Sequence, residues 1–501
     1  MISQVSLAIL KAVYTFCLAV LFLFSLNSLI LTVLYLVNRK KVWHRSIPEM
    51  KQDWPLVTIQ LPIFNERYMV QRLLKAVTAL DYPAEKLQIQ VLDDSTDSTT
   101  EILEGLVRHY RRRGVNIVMQ HRNDRTGFKA GAMQMALGSA TGEFVAVFDA
   151  DFLPKADWLK KTIPFFQDTK IGFVQSRWGH INNQNNLITK MAALALDAEF
   201  VVEQTARAGS NLLMSFNGTA GIWRVSAIQN SGGWQGDTLT EDIDLSYRAE
   251  LAGWKYVYLP DVIVMAEVPA QMEALKKQQV RWVRGNFQVS RKLMGKVILS
   301  HLNPWQKSMA MLQLTMLYIP YPIMVMTILL TFPVNLYAPH FMYLFGWTMI
   351  GSLGPVLLYT LAHSESNPSL FKRVMLLPML IMLGVGISIN CTFGILAGFS
   401  KKSGTFERTP KYNITNDNGQ WTKNNYALSL SPVAGAELIM AAYVVLSNLN
   451  LTFVHHYAFQ YWQLVPAVAY FMVALSSITQ SFQRSYARSR QRKPQTAVIS
   501  D

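Results

Sequence analysis

Residues 144–151 read Phe144-Val145-Ala146-Val147-Phe148-Asp149-Ala150-Asp151, an apolar run that stops on two carboxylates one residue apart. A run this short and this apolar is expected to be a buried strand. Two similar runs precede it, at 56–61 and 87–92, with helical stretches at 69–80 and 99–112 between them. That alternation indicates crossover units and a parallel-type sheet, hence an α/β domain over about residues 50–300. The 87–92 run also ends on acids, Asp93-Asp94. Open α/β sheets bind ligands beyond the carboxyl ends of their strands, which is where both acidic pairs fall.

The residue types suggest what that ligand is. Two carboxylates at i and i+2 offer hard oxygen ligands to Mg2+ or Mn2+ held on a diphosphate, so Asp149 and Asp151 are the candidate metal ligands. Solvated acidic loops also carry Asp-x-Asp, so the position after a buried strand is what counts. Asp93 and Asp94 crowd like charges at one strand end unless donors satisfy them, and the base and ribose of a nucleotide would do so. Part of the following Ser95-Thr96-Asp97-Ser98-Thr99 string is a helix cap. Gly127-Phe128-Lys129-Ala130-Gly131 gives close backbone approach and one cation near phosphates, or else a helix start with a solvated lysine. Thr240-Glu241-Asp242 opens a helix over 243–251, where the helix dipole alone favours acids. The chemical reading makes Asp242 a general base for an acceptor hydroxyl, with Glu241 as its rival; spacing does not choose between them. In Gln278-Gln279-Val280-Arg281-Trp282, Arg281 can pair with diphosphate oxygens and Trp282 can stack on a sugar. A tryptophan there also suits a membrane boundary. Together the clusters are those that sugar transfer from a nucleotide-sugar donor needs.

Composition places this domain beside a membrane. Half of the 501 residues are apolar and 16% are charged, with 47 basic residues against 32 acidic ones. The basic residues crowd the edges of apolar runs, as in Arg39-Lys40-Lys41, Lys401-Lys402 and residues 484–493. That is the pattern of cytoplasmic flanks of membrane helices and argues against a nucleic-acid partner. The run 12–37 is long for a signal core and ends in a basic cluster, as an anchor should, so residues 1–40 are read as a transmembrane helix. Apolar runs return at 309–332, 342–362, 374–399, 432–451 and 461–478, giving a transmembrane region over 305–482 and a basic cytosolic tail over 483–501. Lys372-Arg373 and Lys401-Lys402 flank the third run on both sides, so 372–400 is read as interfacial or re-entrant, with an ordinary span as the alternative. Cys17 and Cys391 lie far apart in apolar segments and suggest neither disulfide nor zinc. The chain is expected to be a multi-pass integral membrane protein with its catalytic domain cytosolic.

Taken in order, these clusters resemble the processive branch of the family-two inverting glycosyltransferases, which includes cellulose, chitin and hyaluronan synthases. The resemblance is strongest to cellulose-synthase-like mannan, glucomannan and β-1,4-glucan synthases. It rests on Leu92–Asp97, Phe128–Ala132, Phe148–Phe152, Phe216-Asn217-Gly218-Thr219-Ala220-Gly221 and Gln278–Trp282, and covers about residues 55–300. It implies a GT-A (Rossmann-like) domain inserted between transmembrane helices. By the same carry-over, Asp94 lies near the nucleotide, Asp149 and Asp151 near diphosphate and metal, and Asp242 acts as base. Phe216, Asn217, Gly218 and Thr219 resemble the segment lining the acceptor site, with Gln278 and Trp282 as its floor. Phe406-Glu407-Arg408-Thr409-Pro410-Lys411 is similar to a gating loop that covers the site when donor is bound; Phe406, Arg408, Thr409 and Lys411 carry that resemblance. Val280 stands where many relatives have a polar or small residue, and from the short basic stretch after Ile478 no cyclic-dinucleotide-binding domain is expected there. The implied activity is polymerisation of a β-linked glycan from UDP-glucose or GDP-mannose, with translocation and accessory export proteins as further expectations. Tyr318, Tyr321, Trp347 and Tyr359 are candidate pore residues. The alternative is a non-processive enzyme that glycosylates a lipid such as diacylglycerol or ceramide. A transporter or scaffold with a dead transferase domain is disfavoured by the intact acids.

Overall fold

In the computed structural model, the described residues are 3–341, 353–362, 369–399, 408–415, 421–455 and 461–492. Trp347, Phe406 and Lys401-Lys402 lie outside them, as does the chain beyond residue 492.

Seven strands form one sheet: β1 (Val57–Ile63), β2 (Leu87–Asp93), β3 (Ile117–His121), β4 (Phe144–Val147), β5 (Ile171–His180), β6 (Gly221–Arg224) and β7 (Lys255–Ala266). Their order is β3-β2-β1-β4-β6-β5-β7. The β1, β2, β3 and β4 pairings are parallel, as the strand–helix alternation predicts. β6 runs antiparallel to both β4 and β5, so the sheet is mixed and not wholly parallel. β6 is Gly221-Ile222-Trp223-Arg224, only two large apolar residues between a glycine and an arginine, which is why it leaves no apolar run in the pattern.

The first two strands carry glutamines inside a buried sheet, and these are matched to one another. Gln60 Nε2 donates to Gln90 Oε1 at 3.1 Å, and Thr58 Oγ1 donates to Gln88 Oε1 at 2.8 Å. Met272–Leu299 is a 28-residue helix that runs from the sheet's ligand-binding end to the apolar helices. Gly398 and Gly394 of the Ser388–Gly398 helix lie against it; a Cβ at Gly394 would stand 2.8 Å from Val280 Cγ1.

Among the described residues, five stretches are long and apolar enough to cross a membrane: Gln4–Val42, Pro320–Tyr337, Val374–Gly398, Val433–Val454 and Tyr461–Ser489. The 309–332 run departs from the expected single span. Pro304–Met316 is a separate helix whose Ala310 and Leu314 pack on Tyr247 and Val289, and the second helix restarts at Pro320. Proline at a helix start leaves no donor to satisfy, so a new helix begins there readily. Gln4–Val42, at 39 residues, spans roughly 58 Å at 1.5 Å per residue, well beyond a hydrocarbon core of about 30 Å. Its last turns dock on the domain: Asn38 Nδ2 donates to Ser210 Oγ at 3.1 Å, and Gly209 meets Asn38 so closely that a Cβ would stand 2.3 Å from it.

Candidate active site

The sheet's carboxyl end and the 272–299 helix enclose a cavity of about 170 Å³. Asp94, Lys129, Asp149, Asp151, Glu241 and Asp242 all line it, together with Arg281 and Trp282. Residues scattered between positions 94 and 282 are thus brought to one chamber.

Lys129 stands at its centre. Its Nζ donates to Asp149 Oδ1 at 2.6 Å and to the Gly218 carbonyl at 2.8 Å, and lies 3.7 Å from Glu241 Oε1. Burial works against its charge, yet Asp149 and Glu241 together hold it above the ordinary lysine value. Gly127, at φ 71°, caps the Phe128–Leu137 helix in the left-handed region and so aims Lys129 inward. Asp149 is fixed in turn by Thr219, whose Oγ1 accepts from the Asp149 amide at 2.9 Å.

Asp242 opens the Glu241–Leu251 helix, and its Oδ1 accepts from the Ile243 amide at 2.9 Å. Burial first, and the Glu241 carboxylate second, raise it to about 7. Gly218, at φ 77°, lies against it; a Cβ there would meet Asp242 Oδ2 at 2.7 Å. Burial lowers Arg281, against the opposing pull of the Glu241, Asp149 and Asp242 carboxylates.

The members of the two acidic pairs differ in placement. Asp94 faces the cavity and is clamped by Arg122, with Nε to Oδ1 at 2.7 Å and Nη2 to Oδ2 at 2.5 Å. Asp93 does not line the cavity. Its carboxylate takes the Ser95 amide at 3.0 Å, the Thr100 hydroxyl at 2.7 Å and His121 Nδ1 at 2.8 Å. Asp151 Oδ2 accepts from the Glu267 amide at 3.0 Å and from Lys411 Nζ at 2.8 Å.

Lys411 belongs to a strap, residues 408–415 and 421–428, that contributes Arg408, Thr409 and Lys411 to the cavity wall. Arg408 Nη1 reaches Glu66 Oε1 at 2.7 Å, and Thr409 lines the cavity beside it. Burial raises Glu66 to about 8 in spite of that guanidinium. Glu267 accepts the Tyr412 amide at 2.8 Å and the Ile414 amide at 3.2 Å, and Tyr426 donates to Asp97. The sequence reading missed Glu66, Glu267 and Arg125, which line the pocket, and Arg122, which holds Asp94; none sits in a motif, and only the packing brings them there.

A second cavity, about 280 Å³, continues from the first into the helices and shares Asn217, Asp242, Gln278 and Trp282 with it. Phe216 lines only this second chamber, while Thr219 lines neither. Tyr321 and Tyr359 line it too, whereas Tyr318 instead places its hydroxyl 3.0 Å from Ser290 Oγ.

Residues 55–285 match a family model described as glycosyltransferase like family 2. This segment is a family-two glycosyltransferase domain. The chain is 43% identical over 253 residues to Glucomannan 4-beta-mannosyltransferase 1 of Oryza sativa subsp. japonica, covering 49% of this chain and 48% of that protein. It is 41% identical over 251 residues to Glucomannan 4-beta-mannosyltransferase 2 of Arabidopsis thaliana, covering 49% of this chain and 47% of that one. The chain therefore matches about half the length of these curated relatives. The mannosyltransferase PcManGT from Pyrobaculum calidifontis, solved with GDP-Man and Mn2+, superposes at a TM-score of 0.51 and 19% identity, over 70% of this chain and 96% of that one. That neighbour shares the GT-A fold of the family-two domain.

Proposed function

We propose that this protein transfers a hexosyl residue from a nucleotide-sugar to a β-linked glycan acceptor, with inversion at the anomeric carbon, from a site at the membrane surface. The observation that carries this reading is Asp242, a half-buried carboxylate in the wall shared by both cavities. The donor's diphosphate falls to the first cavity, where Arg281 and Lys129 supply positive charge. The acceptor sugar falls to Trp282, at the entrance to the second. Asp242 then takes the acceptor hydroxyl proton as that oxygen attacks the anomeric carbon, and the nucleoside diphosphate leaves on the opposite side.

Asp149 and Asp151 suit a divalent cation. Both line the cavity and both are ion-paired to lysines, so the site demands positive charge. Among the described residues no three His, Cys, Asp or Glu side chains form a closed cage. That fits Mg2+ or Mn2+, which bind through one or two carboxylates plus substrate phosphates. When bound, such a cation stabilises the charge growing on the departing diphosphate.

The named activities of the plant relatives favour GDP-mannose as donor and a β-1,4 linkage over UDP-glucose. Arg408, Thr409 and Lys411, in the cavity wall, fit a strap that closes on bound donor. The five long apolar helices support a multi-pass membrane protein, and the basic cluster at Arg39–Lys41 supports a cytosolic site. A continuous chamber from Trp282 into the helices fits processive extension and export. The leucine and methionine side chains in the second chamber favour one other reading, transfer to a lipid hydroxyl.

Incubating the membrane-embedded protein with radiolabelled GDP-mannose and UDP-glucose, then digesting the product with linkage-specific glycanases, tests this reading. A mannanase-sensitive, chloroform-insoluble product is expected. A label that extracts wholly into chloroform would replace the glycan acceptor by a lipid.

A further inference from the structure

One polar pair in the wall of the first cavity has no part in holding the diphosphate or in removing the acceptor proton. It joins His180, the last residue of β5, to Asp197, the last residue of the Leu187–Asp197 helix. Both are 3% exposed, and His180 Nε2 lies 3.1 Å from Asp197 Oδ1. His180 lines the first cavity, whereas Asp197 lines neither chamber, so the carboxylate stands behind the ring. A carboxylate accepts, which makes Nε2 the donor in that bond and fixes the ring's orientation. No hydrogen bond among the described residues reaches Nδ1, and that atom is not fully enclosed. It is left to the cavity. The sheet sets where along the cavity it stands. Ala266 on β7 is the register partner of His180, and the next residue, Glu267, gives its amide to Asp151 Oδ2 at 3.0 Å. His180 is thus one strand away from the Asp151 end of the chamber, beside the apolar wall residues Trp178, Leu196 and Ala266.

We propose that His180, held by Asp197, is a specificity-determining residue that reads one hydroxyl of the hexosyl ring carried by the donor. This rests on the transferase reading and adds to it a contact that selects the sugar. A hydroxyl both donates and accepts, so it meets Nδ1 in either role. A buried pair of this kind is a poor source of stability, and an apolar residue in the same place would pack as well. Chambers with apolar walls and a few fixed polar atoms take their selectivity from those atoms. A ring lacking the hydroxyl leaves Nδ1 dry against the sugar, and an unmet polar atom costs more than the bond itself contributes. Because His180 lines the first cavity and not the second, it acts on the donor and not on the acceptor.

The test measures donor turnover by the full chain in detergent, by transfer to β-1,4-mannotetraose or to water. The donor is whichever of GDP-mannose and UDP-glucose the native chain turns over, offered intact and with each hydroxyl of its hexose removed in turn. In the native chain, loss of the hydroxyl that His180 reads lowers kcat/KM by about tenfold. In His180→Gln, whose amide keeps a donor for Asp197 but places nothing at Nδ1, that factor falls to near one. The factors at the other hydroxyls and the Kd of the free nucleoside diphosphate stay as in the native chain, a split that general loosening of the fold would not give. Should His180→Gln not be recovered folded, His180→Phe is read in the same way. Native factors all near one, or factors that all survive the substitution, overturn the assignment. An equal change at every hydroxyl overturns it too, leaving His180 a structural residue only. Turnover of neither donor by the native chain instead defeats the transferase reading itself.

Discussion

Asp242 is the residue whose chemistry is set most visibly by its surroundings. Its place beside Glu241 was legible in the sequence; which of the two is the base was not, because both stand in one helical turn. Their surroundings differ, and our proposal takes Asp242 as the base on that difference: Glu241 lies within ionic reach of Lys129, whereas Asp242 lies against Gly218 in the wall between the cavities. A base acts as its carboxylate, so a value raised to about 7 keeps activity full above that pH and removes it as pH falls through it. The pH profile of kcat/KM should accordingly show an acid limb near 7; a limb below pH 5 would mean that an ordinary carboxylate does the work. Asp93 teaches the opposite lesson. Its motif reads as nucleotide contact, but its carboxylate is taken up by Ser95, Thr100 and His121, a demand that sequence spacing does not reveal.

At the scale of elements, the strand ends were readable because a buried parallel strand leaves an apolar run and its acids follow at once. β5 and β7 were not, since Gln175, Arg177 and Asp261 interrupt their pattern. Arg177 is buried and its Nε donates to the Pro260 carbonyl at 2.7 Å. The 272–299 helix carries Gln278, Arg281 and Trp282, and an ion cluster fixes it to the apolar helices. Lys276 Nζ lies 2.9 Å from Glu437 Oε1 and 3.3 Å from Glu273 Oε1, and donates to Ser477 at 3.3 Å. Lys276→Met leaves two buried carboxylates facing each other without a cation, which should cost about 3–5 kcal/mol of stability. A thermal melt of the variant in detergent checks this, and an unchanged midpoint would show that the cluster is not holding the helix.

At the scale of the whole molecule, Asp242 stands between a cavity in the sheet domain and a second one among helices long enough to cross a bilayer, the chambers our proposal gives to donor and acceptor. The sequence conveyed the domain and its apolar flanks, because charge distribution and hydropathy are local properties. It conveyed neither the strap's salt bridges onto Glu66 and Asp151 nor the chamber behind Trp282, because those depend on segments hundreds of residues apart. The convergence on Asp242 is tested most directly by the rate of mannosyl transfer from GDP-mannose to β-1,4-mannotetraose in Asp242→Asn against the native chain. Loss of the base should lower that rate by about 10²–10⁴-fold while GDP-mannose binding is retained. Transfer at the native rate in this variant would contradict the assignment.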